Sequence, residues 1–270
     1  MNATATTTAQ MQFSAGRTSR IYYNESKYEL LKQLRLPVYS LSVTAFPLMF
    51  YTVFALLLNP HDAAIGGTTL PAYLIASYGT FGVMGASLFG TAAGLASERG
   101  LGWLELKRAS PMPPAAYFLG KMVMSACFST VIILLLMLLG AVFGGVHLGF
   151  WIGLKLLATL VAGSLPFGAM GLAIGYFAGP NSAASVVNLI YLPLSVCSGL
   201  WVPYMFLPKF IRQLAHALPS YHLSQLGLSV IGAGQHEPVA THWEYMLAFT
   251  LVCLGVARIG FQRDQGKTYG

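Results

Sequence analysis

Six long apolar runs decide most of what this chain can become. They cover residues 38–58, 73–96, 118–143, 150–177, 182–200 and 242–260, and none holds more than two charged side chains. The hydrocarbon core of a bilayer is about 30 Å thick and a helix rises about 1.5 Å per residue, so about 20 apolar residues cross it. Inside hydrocarbon every backbone N–H and C=O must bond within the protein. Runs this long, without the alternation of a barrel strand, therefore predict helices. Charged residues make up only 9% of the chain, against roughly 25% in soluble domains. The expected fold is an all-α membrane protein with six transmembrane helices in one domain, residues 19–265.

Lys and Arg set the threading, because they stay on the cytosolic side of short loops. Of the 15, Arg17, Arg20, Lys27, Lys32 and Arg35 precede the first span. Arg99, Lys107, Arg108 and Lys121 lie between spans two and three, and Arg258, Arg263 and Lys267 close the chain. Only Lys209 and Arg212 fall in an outer loop, and Lys155 sits near the outer end of span four, where its stem can snorkel. Both termini are then cytosolic, and the net charge of +7 is a topology signal. No basic stripe interleaved with exposed aromatics speaks for nucleic acid. Residues 1–18 are small and polar, lack the apolar core of a signal peptide, and read as a disordered cytosolic tail. Residues 266–270 read as a second, shorter tail.

Residues 19–35 predict an amphipathic helix ahead of span one, with Tyr23, Leu30 and Leu34 on a narrow apolar face and Glu25, Glu29 and Lys32 opposite. In span two, Gly82, Ala86, Gly90 and Gly94 recur every four residues, a small-residue stripe that lets two helix backbones approach, within one chain or across a dimer. Residues 200–218 are too apolar for a free outer loop and are broken by Pro203 and Pro208. They read as a re-entrant pair of short helices in the outer leaflet.

Chemistry is sparse. GFQRDQGKT at 260–268 has five residues between its glycines where a phosphate-binding loop needs four. Ser87 has no His within its span to serve as a base, and it fits better as a small packing residue. Cys127, Cys197 and Cys253 all lie in spans, without disulfide or zinc spacing. The six His are spread over separate outer segments, which does not suggest a metal site. No Asp or Glu lies deep in a span, where an ion-coupled carrier keeps one. Asn188 is the strongest hydrogen-bonding side chain deep in the spans; it suits interhelical bonding and, with Ser195, is a candidate for a translocation path.

One charged segment remains, ASERGLGWLELKRASPMPPA at 96–115, the longest cytosolic loop between spans. It predicts a short helix, capped by Ser97, with Leu101 and Leu104 on one face and Glu105 three residues before Arg108, stopped by Pro111, Pro113 and Pro114. Such a helix, bearing Trp103, is a handle for a soluble partner.

The stretch ERGLGWLELKRASPMPPAAYFLGK, 98–121, resembles the cytosolic loop of ABC exporter permeases of the second type, the family with drug- and natural-product-export members. Their pattern of Glu-x-Gly, an Arg shortly before a Pro, and a Lys opening the next span is met by Glu98, Gly100, Arg108, Pro111 and Lys121. Residues 198–225 resemble the family's outer re-entrant segment, and the likeness covers about 20–265. The chain departs from it in Gly100-Leu101-Gly102-Trp103, where relatives often carry Glu-Arg-Gly-Trp, and the added flexibility shifts the expected helix start.

The resemblance implies a multi-pass protein of the bacterial plasma (inner) membrane. Two such chains pair, as a homodimer, and each takes a separate cytosolic ABC ATPase that holds ATP and Mg; this chain holds no cofactor or metal and catalyses nothing. The 98–111 helix would be the coupling helix, with Glu98, Arg99, Gly100, Trp103, Leu104, Lys107, Arg108 and Pro111 as ATPase-coupling residues. Substrate would pass between the two chains along spans two and five, past Asn188 and Ser195, to an outer gate at Trp201, Pro203 and Phe206. Apolar walls suit a drug, natural product, lipid or lipid-linked glycan. The rival readings are an ATP-independent carrier or channel and a membrane-embedded enzyme.

Overall fold

Helix α3 (Leu70–Gly100) is the axis of the fold, and its sequence explains why. Gly, Ala and Ser recur on every side of it, so neighbours can close on it all round. Its most apolar 18-residue window is 94% buried within the chain, whereas a helix facing lipid would leave half of itself uncovered. The computed structural model describes residues 15–58, 64–235 and 237–265. Around α3 stand α2 (Pro37–Tyr51, continued as a π-helical segment Thr52–Leu57), α5 (Pro114–Phe143), α7 (Ser164–Phe177), α8 (Ala183–Cys197) and α10 (Pro219–Val230). Before them, α1 (Ala15–Leu34) packs along α5. Ala15–Thr18, expected in the tail, thus belong to a helix. The last helix, α11 (Val239–Gln265), packs on α7 and α10.

Among the described residues, five helices are long and apolar enough to cross a membrane: Pro37–Leu57, Leu70–Gly100, Pro114–Phe143, Phe150–Phe177 and Val239–Asp264. The sixth expected span, 182–200, is a helix of 15 residues, about 22 Å at 1.5 Å per residue. It stops because Gly199 takes a left-handed turn (φ +77°), with its Cα side pressed against the backbone of Tyr204. A side chain there would meet both a strained backbone and a collision.

Span four is also not one straight helix. It divides at Gly163 into α6 (Phe150–Ala162) and α7. Pro166 has no N–H to give the carbonyl four residues back. On the other side, the Leu223 side chain of α10 fills the space a Cβ at Gly163 would need.

The expected re-entrant segment extends further than its apolar composition suggested. A short 3-10 turn (Tyr204–Phe206) and α9 (Lys209–Ala215) lead into α10, whose residues from Pro219 to Leu228 are all buried. It is wedged between α3, α6 and α11, and Ser220 ties it back to Ser198 at 2.5 Å. The only β-structure among the described residues is a two-stranded hairpin, β1 (Ala64–Ile65) with β2 (Thr68–Thr69), between α2 and α3.

The small-residue stripe serves this chain's own packing. A Cβ on Gly82 would stand 2.6 Å from Ile132 of α5 and 3.0 Å from Pro47 of α2. Ala86 is fully buried, Gly90 lies under Tyr39 and Met124, and a Cβ on Gly94 would stand 3.1 Å from the Lys121 ammonium. On the opposite flank, Gly171 and Gly175 of α7 sit against Thr91, Ala92 and Leu95. Gly171→Val should therefore cost about 1–3 kcal/mol by overpacking, seen as a lower midpoint for heat unfolding of the detergent-solubilised chain. Gly153→Ala, which meets nothing within 4 Å, should leave that midpoint in place.

Candidate functional site

The helix ends around α4 gather the charge of this chain. Glu98, Arg99 and Gly100 continue α3 and do not open a new helix, so Ser97 caps nothing. The break comes at Leu101 and at Gly102, which is left-handed (φ +71°), and α4 (Trp103–Ala109) follows. The helix expected over 98–111 is thus seven residues long and starts five residues later than expected. Leu104 turns inward, into an apolar cluster with Leu95, Tyr117, Met122, Leu172 and Ala257. Leu101, Trp103 and Leu106 turn outward, about half to two-thirds exposed, so Leu101 and Leu104 do not share a face. Arg108 lies on α4, and its side chain is outside the described part of the structure; Pro111 follows in the stop. Gly100 is held by a different contact, with Pro180 filling the place of its Cβ.

Behind α4 lies a buried network of six charges. Lys121 of α5 is fully buried; its ammonium donates to Glu29 Oε1 at 2.5 Å and to Glu98 Oε1 at 2.9 Å. Lys32 of α1 donates to Glu29 at 2.9 Å and also bonds Glu98. Burial works against the Lys32 ammonium, but the two carboxylates outweigh it and hold its pKa above the ordinary value. Lys107 of α4 donates to Glu25 at 2.6 Å, comes within 3.7 Å of Glu98, and lies over the Tyr117 ring. Three cations thus balance three anions drawn from α1, α3, α4 and α5. Charges can be buried only when paired in this way. Arg99 stands apart from the network: it binds Asp264 of α11 at 2.9 Å and the carbonyl of Gly175 at 2.8 Å.

This network reverses the expected orientation of α1. Glu29 and Gln33 are buried, while Tyr23, Tyr28 and Leu34 face outward. The polar side of an amphipathic helix usually meets water; here Lys121 and Glu98 supply a polar interior for it. The signal was present as Glu25, Glu29 and Lys32 on one face, but their partners lie 66 to 92 residues away.

On the flank between α2, α3 and α8 runs a slot of about 580 Å³. Phe46, Phe50, Phe81, Phe89, Tyr191 and Trp201 line it, and no charged side chain does. The rings brace one another, with Trp201 4.9 Å from Phe50 and Tyr191 4.8 Å from Phe81. Tyr191 Oη donates to the Phe81 carbonyl at 3.1 Å and Tyr39 Oη to that of Ala86 at 2.9 Å, so the polar ends of these rings are spent on the wall. Asn188 lines the slot and Trp201 closes its outer end. Ser195 does not line it: it is buried and bonds the Leu192 carbonyl of its own helix. Pro203 and Phe206 lie off the slot, with Phe206 exposed on the 3-10 turn.

The outer end holds a group that sequence reading left scattered. His222 Nδ1 lies 2.8 Å from His242 Nδ1, and Glu237 lies 3.4 Å from His242 and 3.5 Å from His216. The Tyr245 ring stacks on His222, and Tyr221 donates to Glu237. The group ties the re-entrant segment to α11. Its members are far apart in sequence, so no spacing announces it. Among the described residues no set of three potential ligands is placed to hold a metal.

A family model described as "ABC-2 type transporter" matches residues 25–231, from the middle of α1 to the end of α10. The charge network and the slot both fall within it. The chain is also 25% identical over 246 residues to "Putative transport permease YvfS" of Bacillus subtilis (strain 168), covering 88% of this chain and 97% of that protein.

Removing one member of the network strands its partners in a buried place. Lys121→Met should destabilise the chain by about 3–5 kcal/mol, read as a lower unfolding midpoint in detergent. Adding Glu98→Gln to it should recover part of the loss, because the uncompensated carboxylate goes; a double variant worse than the single one by the full cost of Glu98→Gln alone would disprove the coupling.

Proposed function

The chain belongs to the ABC-2 type transporter family, and from that premise we propose that it is the membrane-spanning subunit of an ATP-driven exporter for hydrophobic or amphiphilic molecules. A separate cytosolic ATPase supplies the energy. The observation that carries this reading is the mounting of α4. One side is anchored by Leu104 and Lys107, and the other presents Trp103 and Leu106 outward. A short helix held from behind by packing and by a charge network moves as a unit with α1, α3 and α5. It can accept a push from a partner without bending.

The slot supplies the other half of the proposal. Its walls offer ring faces, one amide and no ionised group, a surface suited to an apolar or amphiphilic cargo. Val38 and Leu41 of α2 and Leu189 and Leu192 of α8 are exposed apolar residues on its two lips. A second copy of the chain covers them, so that two slots face each other and enclose a path. Movement of α4 then travels through Lys107 and Lys121 to α1 and α3, and α3 is the floor of the slot.

A tagged wild-type chain, recovered from its own host in mild detergent, should bring an ATPase with it. Trp103→Ala combined with Leu106→Glu should lower that recovery at least about tenfold, as for loss of an interface hot spot. Asn188→Trp, which blocks the slot, should abolish export from inverted vesicles while keeping the ATPase bound. A wild-type chain that stays folded and carries no ATPase would refute the exporter reading in favour of an ion-driven carrier or channel.

A further inference from the structure

A second groove, of about 610 Å³, opens on the flank away from the slot, between α4, the first turns of α5, α7 and the cytosolic half of α11. Leu254, Ala257, Arg258 and Phe261 face it from α11, at the i, i+3, i+4, i+7 spacing of one helix face. Met112, Tyr117, Phe118, Leu172 and Tyr176 complete an apolar wall, and Lys107 of α4 stands with Arg258 as its two cations. No acidic side chain lines it. Its lining combines α4 with the charged ends of α5 and α11, the ends that the distribution of Lys and Arg assigns to the inner membrane surface.

The charges around it do not cancel. Asp264, the one acidic residue near the end of α11, is already bonded by Arg99. Arg263 lies over the Phe177 ring, and Arg258 is exposed, with no ion pair or hydrogen bond among the described residues. The cytosolic end of α11 thus has two arginines without a matching carboxylate. Lys107 bonds Glu25, lies 3.7 Å from Glu98 and rests over the Tyr117 ring, and it also lines the groove.

We propose that this groove is a binding site for an anionic phospholipid of the inner leaflet. The phosphate group meets Arg258 and Lys107, and an acyl chain lies along Leu254, Leu172 and Phe118. Charge selects the lipid: a headgroup of net negative charge gains from cations at a membrane surface, and a zwitterionic one gains far less. The apolar wall alone would take any lipid. An occupied site links the coupling helix, through Lys107, to α11, through Arg258. The inference is independent of what the slot carries and of whether the partner is an ATPase.

The test uses the purified full chain in mild detergent, mixed with equal amounts of phosphatidylglycerol and phosphatidylcholine of matched acyl chains, with retained lipid counted by native mass spectrometry. The wild type should retain phosphatidylglycerol over phosphatidylcholine by about five-fold, the ratio expected from one well-placed cation. Arg258→Gln should remove the preference while leaving the lipid-free unfolding midpoint unchanged. Ala257→Trp, which fills the groove, should lower retention of both lipids; if it unfolds, Leu254→Phe is the milder plug. Equal retention of the two lipids by the wild type would overturn the proposal, marking the groove as a place for any lipid. So would a preference that survives both Arg258→Gln and the plug, since the headgroup would then be held elsewhere. A groove filled by a protein segment would show as no lipid retained by the wild type, with no change on plugging, and would overturn it too.

Discussion

The Lys121 ammonium, fully buried between Glu29 and Glu98, is the contact on which the charged end of this protein depends. A lone charge at that depth is too costly to keep. Its presence forces two carboxylates inward, and they in turn recruit Lys32 and Lys107. Each recruit comes from a different helix. The orientation of α1, the attachment of α4 and the mutual register of α3 and α5 therefore follow from one electrostatic requirement. Buried ion pairs contribute little net stability, since desolvation cancels much of their attraction. What they do well is penalise wrong arrangements, because any shift that separates the partners exposes an unpaired charge in apolar surroundings.

That specificity has a counterpart in the packing of α3. Its glycines and alanines let α2, α5 and α7 approach until side chains of one helix touch the backbone of the next. Helices cannot be driven together in lipid by burial from water, so such close contacts carry the association. The tightly seated α3 then ends at Gly100, and a two-residue break delivers the chain to α4. A rigid axis, a short break and a doubly anchored helix form one continuous body from the charged end of the bundle to the floor of the aromatic slot.

Much of this was legible in the sequence. Five of the six apolar runs are membrane-length helices, because hydrophobic length is a local property. A short helix in this loop was visible from Trp103 and the proline stop, but its start was misplaced: Glu98 and Arg99 look like the polar beginning of a loop helix, and both are in fact paired with opposite charges where they stand, in α3. The extent of α10 was missed, since PSYHLSQLGLSV is too polar to suggest a buried helix until Ser198, Gln235 and His242 are brought to it. The inward face of α1 and the meeting of His216, His222 and His242 were beyond reach for the same reason. Each depends on partners supplied by the fold, and pattern along the chain does not reveal them.

The shortness of α8 changes the distance that matters. Its 15 residues reach about 22 Å, short of the hydrocarbon thickness of about 30 Å. Beyond its end the chain continues through the turn at Gly199 into α9 and α10, which pack against the bundle. A bilayer would normally thin around such a helix or tilt it; here protein takes up the mismatch. The slot ends where α8 ends, at Trp201. On the proposed path, a molecule leaving the slot there would meet polypeptide, and not acyl chains, on the last part of its way out.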